Sequence, residues 1–270
     1  MSPTEPLYLC LLLLTGTFTG LISGLLGIGG GFIMSPVQYW LLQEAGVSPD
    51  LALRIAFGTS LFVIFPNAVS GTLKHHKYSA VLWKQAVLMG AFGSIASFLG
   101  AALAAYLSAS VLSKIFGVTV ILGALKTCTS PAVKTRENIS SNSFVYVIAG
   151  ILIGFFSGLV GIGGGVIGIP VMLVLLHFDM RTAIGTSAAV MIFTSFGGAL
   201  GYIIHGWNEP GLPPYSLGYV NLLNWLLLAG PGILATKKGA QIASVVKPEY
   251  LKQFFVLLMV YMGLKMMGII

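Results

Sequence analysis

Three adjacent glycines, Gly29, Gly30 and Gly31, stand inside an apolar run of the 270-residue chain with Pro36 five residues beyond, and Gly163, Gly164, Gly165 and Pro170 repeat the arrangement. The chemistry on offer is that of the bare backbone. Glycine costs a helix interior about 1 kcal/mol against alanine, so each triplet weakens a turn by about 3 kcal/mol and predicts a break that releases N–H donors. Each proline adds a second disturbance by removing a donor and freeing an upstream carbonyl. Irregular backbone at membrane depth survives only where protein buries it or water lines it, and transporters built from inverted repeats place such breaks at their substrate sites. A packing reading uses the same residues. Gly20, Gly24, Gly27 and Gly31 follow a 4, 3, 4 spacing that Gly154, Gly158, Gly161 and Gly165 repeat. On one continuous helix this is a small-residue stripe that lets another helix come close. Both can hold, with a stripe packing the helix that leads into a break.

A second motif recurs after the first, RIAFGTS from Arg54 to Ser60 and RTAIGTS from Arg181 to Ser187. Thr59, Ser60, Thr186 and Ser187 place hydroxyls near helix starts, where free N–H groups favour an anion. The plainer alternative is that each hydroxyl bonds the preceding helical turn. Asn67, Ser70, Thr194 and Ser195 lie deeper in the same segments and are candidates for the path or for interhelical bonding. Arg54 and Arg181 precede the two motifs and could draw anions to the entrances, or could snorkel at the interface. His75, His76, His177 and His205 all fall near segment ends and read as interfacial or loop residues rather than a metal cluster.

Composition closes off other classes. The chain is 56% hydrophobic and 8% charged, against about 25% charged in ordinary soluble domains, which makes it an integral membrane protein. Its net charge of +7 comes from short loops and reports orientation rather than nucleic-acid binding. The start, MSPTEPLYLCLLLL, lacks a basic n-region and cleavage site and is expected to form the first transmembrane helix. All seven acids fall in tails or loops, which argues against cation sites and proton relays and leaves a neutral or anionic substrate. Gly163, Gly165 and Gly168 satisfy G-x-G-x-x-G, but Met34 occupies the last position in the first copy and no acid follows at the required distance; no lysine completes a Walker A loop. Cys10 and Cys128 have no metal or disulfide spacing. No cofactor, metal site or catalytic residue is expected; the expected partners are a small anionic substrate and the bilayer.

The elements that must position these residues are ten apolar segments, at 7–27, 30–43, 55–73, 82–106, 111–127, 143–161, 164–177, 183–204, 217–236 and 250–269. The second of each half is short for a span of about 20 residues. If all ten cross, eleven of the fourteen Lys and Arg residues share one face, with only Arg54, Lys114 and Lys265 opposite; if both short segments re-enter, the split is seven to seven. The positive-inside rule favours ten crossings. Five crossings per repeat turn the second copy upside down. The expected fold is therefore an all-α integral membrane protein of two inverted five-segment repeats, 1–128 and 143–270, broken at the glycine motifs and joined by a cytoplasmic linker at 129–142. It is multi-pass in the cell membrane, with both termini extracytoplasmic.

The paired GLLGIGGGFIMSP and GLVGIGGGVIGIP, each followed by R-x-A-x-G-T-S, resemble the sulfite exporter TauE/SafE family, also called the toluene sulfonate uptake permease family. The likeness covers both halves. It implies transport of small sulfur-containing anions such as sulfite, sulfonates, sulfoacetate or thiosulfate. The leading expectation is a secondary transporter or facilitator binding its anion at Gly29–Gly31, Gly163–Gly165 and the Thr59, Ser60, Thr186 and Ser187 hydroxyls, with alternating access by rocking one half against the other. An anion channel and a non-transporting scaffold are the alternatives. The insertion HGWNEPGLPPYS at 205–216 has no counterpart in the first half and implies an asymmetric external gate.

Overall fold

The computed structural model describes residues 5–129, 142–246 and 248–269; most of the expected linker lies outside them. Among the described residues ten helices follow one another: α1 (Pro6–Leu26), α2 (Gly31–Glu44), α3 (Pro49–Lys77), α4 (Trp83–Tyr106), α5 (Ala109–Thr129), α6 (Ser143–Val160), α7 (Gly165–Val174), α8 (Met180–His205), α9 (Leu222–Ala243) and α10 (Pro248–Met266). Six of them, α1, α3, α4, α5, α6 and α8, are long and apolar enough to cross a membrane. The described structure is all-helical apart from one minimal hairpin between α8 and α9. Ser216–Leu217 (β1) and Val220–Asn221 (β2) pair antiparallel within the insertion and the residues that follow it.

Local chemistry sets the boundaries. Pro6 and Pro49 open α1 and α3, where the missing N–H is one the helix leaves unpaired anyway. Asp179 and Asn221 cap α8 and α9 by accepting from Thr182 and Asn224 N–H at 3.1 and 3.0 Å. α1 stops where Gly27 turns left-handed, φ 65°, and α6 stops at Gly161, φ 66°. Each cap N–H bonds back four residues, to Ser23 and Ser157 O, a helix ending that glycine adopts without a Cβ penalty. The 4, 3, 4 stripe is thus never one continuous helix.

Its upstream part does pack helices. A methyl on Gly20 would lie 2.6 Å from Gly232 Cα, and Gly16 and Gly24 press equally close on the backbones of Leu228 and Thr236. That seam joins α1 to α9. The matching seam, Gly150, Gly154 and Gly158 against Met89, Gly93 and Ser97, joins α6 to α4. α3 and α8 pack on one another at the centre, and α5 pairs with α10. The first helix of each sequence half is therefore held mainly by the fourth helix of the other, so rocking of one half as a body against the other does not fit the packing.

Two cavities define the ends of the bundle. Tyr8, Ala45, Ser48 and Asn224 line one, which places the starts of α1, α3 and α9 and the end of α2 together. His75, Ala80, Arg181 and Ser244 line the other, at the end of α3, the start of α8 and just beyond α9. α2 and α7, with 14 and 10 residues, reach only about 21 and 15 Å at 1.5 Å per residue. Both begin at the glycine breaks inside the protein.

Candidate functional site

The two breaks lie against each other. A methyl on Gly31 would sit 2.8 Å from Gly161 O and 2.9 Å from Ile162 Cα; one on Gly165 would sit 2.7 Å from Gly27 O and overlap the Ile28 backbone. Gly29, Gly30, Gly163 and Gly164 all adopt left-handed φ between 74° and 94°, a region costly to any residue with a Cβ. Every residue from Leu26 to Met34 and from Ser157 to Val166 is buried. Ile64 of α3 fills the space beside Gly29, Gly31 and Gly163, and Met191 of α8, at the equivalent place in the second half, lies beside Gly29.

At this crossing, several carbonyls are paired while a run of donors is not. Ser187 donates to Gly27 O at 2.9 Å, Ser35 to Gly161 O at 3.4 Å, and Thr194 to Gly163 O at 2.9 Å. Gly30 O receives the N–H groups of Ile33 and Met34, and Gly164 O that of Gly168. The N–H groups of Ile28, Gly29, Gly30, Gly31 and Phe32, and of Ile162, Gly163, Gly164, Gly165 and Val166, have no partner among the described residues. Buried backbone donors without partners are rare because each forfeits a hydrogen bond to water. α2 and α7 also present their N-terminal ends here, adding positive potential. What the crossing offers chemically is a set of hydrogen-bond donors suited to an acceptor-rich group, with Ile64 and Met191 packed beside them.

The remaining expected residues divide by role. Gly58 and Gly185 let the backbones of Tyr219 and Ala80 press onto α3 and α8. Thr59 Oγ1 accepts the N–H of Asn221 at 2.9 Å, and Thr186 Oγ1 that of Leu82 at 3.2 Å. Both donors are the cap residues at which α9 and α4 begin, so these hydroxyls latch one half to the other. Only the serine of each G-T-S turns to the crossing. Ser60 Oγ accepts from Ser35 and Gln38 Nε2 at 3.0 and 2.9 Å; Ile169 and Met172 replace Ser35 and Gln38 in the second copy. That asymmetry was open to reading once the repeats were aligned. Asn67 is fully buried and neither amide atom has a partner; a methyl on Gly232 of α9 would come within 2.8 Å of its Nδ2. Ser70 bonds Ile233 O at 2.9 Å and Ser195 bonds Met191 O. Pro36 and Pro170 lie inside α2 and α7, on the walls of clefts lined otherwise mostly by apolar side chains.

The arginines differ sharply. Arg181 is exposed and lines the cavity of about 350 Å³ at the α8 start. Arg54 is pinned: Nη1 donates to Tyr219 Oη and Nη2 to Leu107 O, both at 3.4 Å, and Glu209 Oε1 is 3.9 Å away. Burial raises the Tyr219 phenol above its ordinary range while Arg54 pulls it down. The insertion thus covers Arg54. His75 also departs from expectation. It is 3% exposed and its Nε2 lies 3.0 Å from Gly24 O, a buried contact between α3 and the last turns of α1 rather than an interfacial side chain. No group of three metal-ligating side chains occurs among the described residues.

Several known proteins resemble this chain in sequence. A protein of Methanocaldococcus jannaschii described as a probable membrane transporter is 31% identical over 97% of this chain and 96% of its own. One of Haemophilus influenzae with the same description is 30% identical over 96% and 98%, and one of Bacillus subtilis 28% identical over 73% and 78%. No solved structure matches. The family model for the sulfite exporter TauE/SafE covers residues 12–266. With both glycine motifs, both G-T-S motifs and nearly the whole length accounted for, the chain belongs to the sulfite exporter TauE/SafE family.

Proposed function

We propose that this multi-pass membrane transporter is a secondary transporter or facilitator that moves small sulfur-containing anions of the sulfite, sulfonate, sulfoacetate or thiosulfate type by alternating access. The observation that carries the reading is the set of unpartnered, buried N–H groups at the crossed breaks, beside carbonyls already capped by Ser187, Ser35 and Thr194. Such a site replaces an oxyanion's hydration and offers a cation little. The binding residues are the backbones of Gly29 to Gly31 and Gly163 to Gly165, with Ser60 and Ser187 placing the breaks. Arg181 gathers anions at one mouth. Ile64 and Met191 form an apolar seal that must shift for an anion to reach the donors.

The cavities and the charge split support the following membrane arrangement. Repeats 1–128 and 143–270 insert in opposite senses in the cell membrane, with the Arg181 cavity cytoplasmic and both termini extracytoplasmic. The moving bodies are the exchanged pairs, α1 with α9 and α4 with α6, turning about α3 and α8. Flux of labelled sulfite, thiosulfate and methanesulfonate into proteoliposomes tests the reading. Saturable anion flux of carrier-like turnover is expected; selective cation flux overturns it, ohmic anion current makes the protein a channel, and no flux makes it a scaffold.

A further inference from the structure

Each short helix borders a second space besides the crossing. α2 lies against α10, and Pro36, Val37, Trp40, Met262 and Lys265 line a cleft of about 400 Å³ between them. α7 lies against α5, where Pro170, Val171, Gly123 and Lys126 are among the residues lining a cleft of about 220 Å³. The two occupy the same place in the repeat. Pro36 and Val37 align with Pro170 and Val171, and Leu264 and Lys265 with Leu125 and Lys126.

The two lysines reach opposite ends of the bundle. Ala109 N–H donates to Asp50 Oδ1 at 2.6 Å, which places the start of α5 beside the start of α3. A methyl on Gly117 would overlap Met267, and one on Gly123 would meet the tip of Met259, so α10 runs back along α5. Lys265 therefore stands at the end where α3 starts, and Lys126 at the other. α2 also finishes at the Lys265 end, since only Ala45, Gly46 and Val47 separate it from the Ser48 cap of α3. Trp40, 53% exposed, and Lys265, also exposed, thus share the mouth of their cleft, and the Tyr261 ring lies 5.9 Å from Lys265 Nζ. A cation between two aromatic side chains at the mouth of a hydrocarbon groove sits where a membrane protein meets lipid headgroups.

We propose that the cleft between α2 and α10 binds one anionic phospholipid, its phosphate at Lys265 and one acyl chain laid between Val37 and Met262 as far as Pro36. Lipid is the medium around every outward apolar face of this protein, and the lysine selects among lipids by charge. Proline and valine leave the groove its depth, and the flexible Met262 repacks against whatever chain enters. A small soluble anion would meet the ammonium and leave the groove unused. Pro36 is five residues, about 7.5 Å of helix, from Gly31, so the chain end braces α2 where it leaves the crossing. The site stands whether or not the protein moves an anion.

Native mass spectrometry of the full chain, in detergent with equal amounts of dioleoylphosphatidylglycerol and dioleoylphosphatidylcholine, reads lipid number and oligomeric state together. The first lipid retained is expected to be phosphatidylglycerol, favoured about fivefold, the preference that one lysine near an anionic headgroup supplies. Lys265→Gln should cut that preference below about twofold. Lys114→Gln, the same charge loss at the same end of the bundle but outside the cleft, should leave it intact. Val37→Trp should fill the groove and remove one bound lipid of either kind, and glycerol 3-phosphate should not compete. If Val37→Trp fails to fold, Lys265→Gln decides alone. Equal retention of the two lipids, a preference untouched by Lys265→Gln, or displacement by glycerol 3-phosphate overturns the site. So does a dimer that Val37→Trp dissociates, which assigns the cleft to a second copy of the chain.

Discussion

Ser187 of the second half donates its hydroxyl to Gly27 O of the first at 2.9 Å across 160 residues of sequence, and this bond fixes the carbonyl at which α1 ends. Its counterpart on the other side is indirect. Ser60 takes hydrogen bonds from Ser35 and Gln38, and Ser35 reaches Gly161 O. The two breaks are thus alike in backbone and unlike in the side chains that hold them.

Ser187→Ala should lower thermal stability by about 1 kcal/mol, in line with interhelical hydrogen bonds in membranes. Substrate KM should rise with it, because the freed Gly27 carbonyl turns an acceptor toward the anion. A stability loss with KM unchanged assigns Ser187 to packing alone. Detergent melting curves beside sulfite flux provide both readouts.

Gly165→Ala and Gly168→Ala make a paired test of the crossing. The first methyl overlaps the Ile28 backbone, whereas the second meets Ser187 Oγ at an ordinary 3.4 Å. Gly165→Ala should abolish the monodisperse folded peak in size-exclusion chromatography, and Gly168→Ala should keep it. Gly30→Ala and Gly164→Ala are poorer probes, since both positions have left-handed φ and crowded surroundings.

Thr59→Val should leave the Asn221 N–H buried and unpaired, costing about 1–3 kcal/mol. Amide hydrogen exchange should quicken at residues 219–222, and Thr186→Val should do the same around Leu82. Anion KM should stay within about twofold, because a change of less than about 0.4 kcal/mol in binding is all that a latch remote from the ligand passes on. A tenfold KM change without loss of stability returns these hydroxyls to the substrate path.

Arg181→Gln and Arg54→Gln should separate by mechanism. Losing the exposed Arg181 should lower flux at low salt and matter little at 0.5 M salt, where screening acts over only a few ångströms. Losing Arg54 removes the one guanidinium that reaches Leu107 O, Tyr219 Oη and Glu209 of the insertion together, so exchange at 206–218 should rise whatever the salt. Glu209→Gln should cost under about 1 kcal/mol, as a long and partly exposed ion pair does.

The helix ends at Gly27 and Gly161 were legible in the sequence, because glycine adopts the left-handed conformation that stops a helix there without a Cβ penalty. The order of ten helices was legible from polar interruptions. Contacts between residues far apart in the chain were not. Thr59 and Thr186 have the composition of an anion site, and only the arrival of Asn221 and Leu82 beside them shows that the same oxygens also accept the N–H groups at which α9 and α4 begin. Arg54 and Arg181 align in sequence, yet an insertion present in one half covers the first. His75 looks interfacial by position and is buried because α1 ends against it.

The exchanged pairing has a consequence for how the protein is made. Tyr8 meets Asn224 across 216 positions, so α1 leaves the ribosome well before α9 and must wait in lipid until the partner helix has been translated. Its glycine seam stays open to strangers during that interval. Biogenesis of this protein should therefore depend on an insertase or chaperone that shelters α1, and a truncation ending before α9 should be degraded rather than accumulate as a stable half.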